Sequence, residues 1–469
     1  MTARACRPAR FAGPALVLAL AAVLAGCRLQ RGPDRPVPLP PDTSPADLID
    51  ADDPAESLNP LDGEELANAA ERVRKSRKPS RDPEKKYEIL CLSGGAVYGA
   101  YSAGVLVGWT QAGTRPQFDV VTGISVGATI APFAFLGPEY DCTLQWLLTT
   151  ARQEDVFTIR RQIRGLFSES VADNAAGVRR LESVITDDVV RRLAEEHRKG
   201  RRCYVGSTNL DTKRLVVWDL GAIAARGGPA SRKLIVGAIV ASASIPAFFP
   251  SVRVPVEIDG QYYEEMHVDG GVTRSMFFRP PYVPPDKREG FGPDALYGTN
   301  LYMLVAGKMY PDPEGVRLRT LAVAGASVSN LLYAVTRQDL YRMYLYAVLT
   351  GMNYYVSAIP PEFRTTGKST DFDPAEMAKM FNEGQRLAAQ GLVKKDAQGR
   401  PAKDPKTGRA ALGPAWQDIP PGFEPGEELR SRTGLRLAVR KEQPPAPVQP
   451  PAAGPGSSPP AAPPPPVAK

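Results

Sequence analysis

Asp119-Val-Val-Thr-Gly-Ile-Ser-Val-Gly127 is the stretch on which the reading of this chain turns. Val120, Val121 and Thr122 are apolar or β-branched and predict a short buried strand. Ala128 to Leu136 is apolar and predicts a helix. Between them stands G-x-S-x-G, with Gly123, Ser125 and Gly127 at the turn. Strand, sharp turn and helix in this order make a nucleophile elbow. The serine takes a strained backbone conformation that lifts its hydroxyl above the sheet edge, and the glycines let strand and helix cross without Cβ clashes. The helix N-terminus then points at the place where negative charge develops. A chance G-x-S-x-G is common in a chain with 42 glycines, so its neighbours decide its weight.

Upstream, Tyr87 to Leu92 predicts a strand, Ser93 to Gly99 a glycine-rich turn, and Ala100 to Ala112 a helix. Small residues on one side of that helix, Ala100, Ala103 and Gly104, allow close packing on a sheet. Strand, Gly-rich loop and helix N-terminus form an anion site of backbone N–H groups. No Lys-Thr or Lys-Ser follows the glycines, and Ala96 stands where G-x-G-x-x-G needs its second glycine, so nucleotide loops are disfavoured. An oxyanion hole serving the serine one helix further on fits better.

Downstream, Val178 to Arg198 has helical apolar spacing, with His197 at its polar, solvated end. Cys203 to Asn209 and Arg214 to Asp219 read as a hairpin. Leu234 to Ser244 is a small-residue helix that runs into the apolar loop Ile245 to Pro250, which either lines an acyl-chain pocket or packs the core. Gln261 to Val268 is a strand ending at Asp269-Gly270-Gly271, a tight turn that presents a carboxylate at the sheet's carboxyl edge. A strand at Leu301 to Ala306, a helix at Thr320 to Met352, a strand at Tyr354 to Ile359 and a helix at Phe372 to Gln390 follow. The alternation places the body in the α/β class.

The ends are different. Residues 1–27 form a targeting segment: Arg4, Arg7 and Arg10, then an apolar run too short to span a bilayer, then Leu24-Ala25-Gly26-Cys27. This resembles a bacterial lipobox, which implies a lipidated Cys27 and attachment to the membrane of the cell envelope. By the same resemblance, Arg28 in place of an aspartate points to the outer membrane. Residues 28–85 read as a Pro-rich, charged linker with a short helix at Leu66 to Val73, residues 396–442 as an extension, and residues 443–469 as a disordered Pro/Ala tail. Cys91, Cys142 and Cys203 show no metal spacing and read as small buried hydrophobes, a single disulfide being the alternative. The net charge of +7 comes without interleaved aromatics, which excludes a nucleic-acid surface.

Leu92-Ser-Gly-Gly95 with Gly99 and Ala103 to Leu106, then Gly123 to Gly127, then Ala241-Ser-Ala-Ser-Ile-Pro246 with Phe249-Pro250, then Asp269 to Gly271 resemble the patatin-like phospholipases over roughly residues 86–395 in this order. The resemblance implies a three-layer α/β/α fold with a mostly parallel central sheet. It implies a lipid acyl hydrolase acting on phospholipid acyl esters through a Ser-Asp dyad and an acyl-enzyme, with no metal or cofactor. Ser125 would be the nucleophile, Asp269 the general base, and the N–H groups around Gly94, Gly95 and Ala96 the oxyanion hole. Chemistry agrees that a serine hydroxyl needs a base within hydrogen-bond reach. His267, two residues before Asp269 and on the same side of its strand, is the rival base of a Ser-His carboxylesterase. The family's loop reads G-G-G-x-[RK]-G, whereas this chain has Ala96 and Tyr98 at the third glycine and the cation. That departure keeps open a tethered binding or scaffold protein of the same fold.

Overall fold

The computed structural model describes residue 73 and residues 85–160, 169–281, 293–309, 320–365, 371–396, 398–405 and 410–420. Cys27, the linker apart from Val73 and Lys85, and the tail lie outside the described residues. The elements in chain order are β1 (Glu88–Leu92), α1 (Gly99–Gln111), β2 (Val120–Ile124), α2 (Val126–Leu136), α3 (Asp141–Thr149), α4 (Ala175–Val184), α5 (Asp187–Arg198), β3 (Arg202–Asn209), β4 (Arg214–Asp219), α6 (Leu220–Ala225) and α7 (Gly228–Ser242). They continue with β5 (Val252–Ile258), β6 (Gln261–Asp269), β7 (Asn300–Leu304), α8 (Thr320–Thr350), β8 (Asn353–Ser357) and α9 (Pro374–Ala388).

β8, β7, β1, β2 and β3 lie side by side and all parallel, and apolar clusters cover both faces of this sheet. The continuous apolar runs of β1 and β2 follow from that double coverage. On one face α1 sits against α9 rather than only on the sheet: a Cβ at Gly104 would lie 2.0 Å from the Phe381 carbonyl oxygen, so the small residues serve a helix–helix contact. Trp109 packs edge-on against Tyr302 of β7 and Trp416, which brings the chain beyond residue 395 into the same core.

The antiparallel part decides where the site forms. β3 outlasts β2. One edge of β3 pairs with β4 from Tyr204 to Asn209. The other edge pairs with β2 as far as Gly206↔Ile124, and from Ser207↔Asp269 onward it pairs with β6. β2 and β6 therefore meet end to end along one edge of β3. Asp269 ends its strand as expected: β6 runs antiparallel to β3, down the hairpin it forms with β5, and its carboxyl end stops where the carboxyl end of β2 stops.

Other differences have local causes. The helix expected over residues 178–198 is two, because Thr186 caps a new start, its hydroxyl accepting from the Val189 N–H, with Asp187 and Asp188 in the first turn. β5, α3 and α6 were not foreseen; β5 carries Pro255 and lies at the sheet edge. His197 is half-buried beside Asp219, at 3.4 Å, rather than solvated. Cys91 and Cys203 are buried and Cys142 is exposed, all three as free thiols, so neither a disulfide nor a buried Cys142 holds. Among the described residues no helix is long and apolar enough to cross a membrane.

Candidate active site

Ser125 stands at φ 55°, ψ −123°, a conformation that non-glycine residues avoid and that marks stored strain. Both glycines are required by close approaches: a Cβ on Gly123 would lie 2.3 Å from the Gly127 carbonyl oxygen, where β2 meets α2, and one on Gly127 would lie 2.5 Å from that of Leu92, at the end of β1. The strain is held by a hydrogen bond from the Ser125 N–H to Ser242 Oγ, 2.9 Å, while the Ser242 hydroxyl donates to the Gly206 carbonyl at 2.6 Å.

Asp269 faces Ser125 from the end of β6. Its own N–H donates to the Ser244 carbonyl at 2.8 Å, so the 242–244 segment at the end of α7 fixes both residues of the pair. Asp269 is 6% exposed and Ser125 8%. Burial pushes the Asp269 carboxyl up to about 6, opposed by hydrogen bonds from the Gly271 N–H (2.7 Å) and from Ser125. Gly270 and Gly271 form the turn that delivers that N–H.

His267 is elsewhere. Its Nδ1 shares a 2.9 Å hydrogen bond with Ser207 Oγ, its Nε2 another of 2.9 Å with Glu265, and Trp218 Nε1 donates to the same Ser207 oxygen at 2.8 Å. His267 and Ser207 are both 0% exposed, so no ester reaches them. The histidine has a serine partner, and it is not Ser125.

Residues 90–282 match the family model described as patatin-like phospholipase. They form a patatin-like phospholipase domain. The match supports lipid acyl hydrolase activity in general terms. No curated protein matches the chain. Among solved structures, the crystal structure of VipD from Legionella pneumophila is similar at a TM-score of 0.30 and 14% identity, over 69% of this chain and 72% of that chain.

In the patatin-like domain the Gly-rich loop lies beside the elbow, and Gly99 opens α1. Of the three expected oxyanion donors, Gly94 drops out, because its N–H donates to the Ser275 carbonyl at 3.1 Å. Gly95 and Ala96 precede and open a short 3₁₀ turn, where N–H groups have no partner within the helix. Val126, the first residue of α2, adds a third such N–H that the sequence reading did not include. Ala96 is at φ 49°, the left-handed conformation that the missing glycine would take without strain.

Asp339 of α8 was also missed. It is 2% exposed, and one carboxylate oxygen accepts the N–H groups of Ser275 (2.8 Å) and Met276 (3.3 Å). Thr336 Oγ1 donates to Ser275 Oγ at 2.8 Å. The Ser275 carbonyl holds Gly94, so α8 fastens the Gly-rich loop through this segment. The one sequence signal is an acid on the helix face that also carries Leu340 and Met343.

A cavity of about 180 Å³ begins at Ala96, Ser125 and Val126 and runs between α3, α4 and α7. Ile245 and Phe249 line it, which decides the open question about that loop in favour of a pocket wall. No group of three potential metal-ligating side chains occurs among the described residues.

Proposed function

We propose that the patatin-like domain cleaves the acyl esters of membrane lipids through a Ser125–Asp269 dyad and an acyl-enzyme. The observation that carries this reading is the meeting of a strained serine with a buried carboxylate whose proton affinity lies near neutrality. Ionised Asp269 takes the Ser125 proton as Oγ attacks the ester carbonyl. The oxyanion forms against the N–H groups of Gly95, Ala96 and Val126 at the start of α2. Asp269 then gives its proton to the departing alcohol, and water, activated by the same carboxylate, releases the acid. The apolar cavity receives the acyl chain. No step needs a metal.

The lipobox ending in Cys27 supports a lipid anchor in the bacterial cell envelope, on the outer membrane, which keeps the domain beside its substrate. Cys27→Ser should release the protein from the membrane fraction; unchanged sedimentation would remove the anchor.

The test compares the chain with Ser125→Ala and Asp269→Asn for fatty acid release from phospholipid vesicles and from a short-chain aryl ester. Release lost in both variants is expected. Release retained in Asp269→Asn would defeat the dyad. A second reading, a tethered binding protein, is favoured by Ala96 in the left-handed region and by Tyr98 in the cation's place. Absence of release from both substrates by the unaltered chain would select it.

A further inference from the structure

Hydrocarbon makes up most of the cavity wall, from Leu147 and Leu181 to Ile239 and Phe372, and a single charged residue lines it, Arg180 of α4. Arg180 is half-buried, and a partly desolvated guanidinium against an apolar wall gains from a carboxylate partner. Among the described residues Arg180 has no carboxylate in ion-pair contact. Asp155 acts on it only through its field, and an Asp155 oxygen accepts the Arg152 N–H at 3.0 Å. Burial accordingly lowers the proton affinity of Arg180.

The guanidinium is nonetheless held in place. Its Nη2 donates to the Trp146 carbonyl at 3.0 Å and to Thr150 Oγ1 at 2.7 Å, at the end of α3. Its plane lies over the Trp146 ring, 3.9 Å from the centroid. Nε is sealed from water and has no acceptor. A tie between α4 and α3 uses only Nη2. Nη1 makes no hydrogen bond to any described residue, and Arg180 lines a cavity that starts at Ser125. An oriented guanidinium donor of that kind suits an oxygen of a phosphate or carboxylate.

We propose that Arg180 makes this cavity a subsite for the anionic oxygen group, phosphate or carboxylate, of an amphiphilic lipid whose hydrocarbon part lies against the apolar wall. The inference rests on the reading of the cavity as the substrate site, and it separates from that reading because it is tested by binding alone.

The experiment is calorimetric titration of the full-length Ser125→Ala chain in detergent with octyl phosphate, octanoate, octanol and inorganic phosphate, repeated with Arg180→Gln and Arg180→Lys. Both octyl anions should bind more tightly than octanol. Arg180→Gln should remove about 10-fold to 100-fold of that preference, the scale of a charge-assisted hydrogen bond, and Arg180→Lys should restore part of it. Octyl phosphate ahead of octanoate assigns a phospholipid headgroup; the reverse order assigns a fatty-acid carboxylate. Octanol binding as well as the anions would overturn the proposal, as would an equal loss for all three octyl ligands in Arg180→Gln, which is the mark of a helix tie. Inorganic phosphate binding as tightly as octyl phosphate would overturn the amphiphile. Preference without hydrolysis in the unaltered chain would keep the subsite and defeat the hydrolase; hydrolysis without preference would do the opposite.

Discussion

Ser242→Ala isolates the strain at the elbow. Holding Ser125 at φ 55° costs about 1–3 kcal/mol, and such a conformation persists only where the surroundings over-determine it. Ser242 Oγ is part of that determination, accepting from Ser125 N–H and donating to the Gly206 carbonyl. Ser242 is 0% exposed, so water does not replace the lost oxygen. Two buried backbone groups become unpaired, at about 1–3 kcal/mol each, and the chain should lose stability on that scale. Part of the loss falls on the reactive conformer, because the Ser125 N–H is then free to turn and relax the elbow. If half of one bond, about 0.5–1.5 kcal/mol, is lost there, kcat falls about 2-fold to 10-fold, since about 1.4 kcal/mol is a factor of ten. KM should hold, because Ser242 does not line the cavity. The assay is aryl-ester hydrolysis for kcat and KM, with thermal melting and the rate of fluorophosphonate labelling of Ser125 alongside. A lower melting temperature with kcat and labelling unchanged would refute the argument and leave Ser242 as packing.

With Asp269 pushed up to about 6, kcat/KM should fall tenfold per unit as pH drops below about 6 and level off above it; a profile still level at pH 5 would exclude Asp269 as the base. The sign for stability runs the other way: the folded carboxyl holds its proton more tightly than the unfolded one at 3.8, so stability declines as pH rises from about 4 to about 6, by about 3 kcal/mol at most. Asp269→Asn should therefore melt higher than the parent at pH 8, and a lower melting point would show that its hydrogen bonds outweigh its desolvation. Asp339→Ala, remote from the reacting atoms, should lower kcat about tenfold with KM nearly unchanged by loosening the Ser275–Gly94 link; equal rates would show that α8 does not set the oxyanion loop. Ala96→Gly should raise stability by about 1 kcal/mol, the relief at φ 49° less the added unfolded-state freedom, and a lower melting temperature would refute the strain.

The elbow was legible because its requirements are local. A strand, two glycines in crossing positions and a helix start all lie within residues 119–136, and the structure needs each of them. The Asp269 turn was legible for the same reason, as a carboxylate before two glycines. The β5 edge strand was hidden by Pro255 and by its mixed polarity. The break at Thr186 was hidden because apolar spacing runs across it, although the Thr-Asp-Asp start was written there. Ser242 and Ser244 were visible as part of a resemblance, but nothing in Ala-Ser-Ala-Ser says that a hydroxyl and a carbonyl will each hold a partner from another strand.

By itself the sequence determined the α/β class, the strained serine, the carboxylate turn and the glycine-rich loop, because each depends on residues within one or two turns of chain. Only the tertiary structure decided which groups meet. β3 runs past the end of β2, and β6 fills the vacated edge, so Asp269 arrives at Ser125 and His267 is drawn to Ser207. The same packing ties the Gly94 N–H to the Ser275 carbonyl and sets Arg180 in an apolar wall. Strand length and register are settled by which buried faces and backbone hydrogen bonds are satisfied across the whole sheet, a condition that no local stretch of sequence contains.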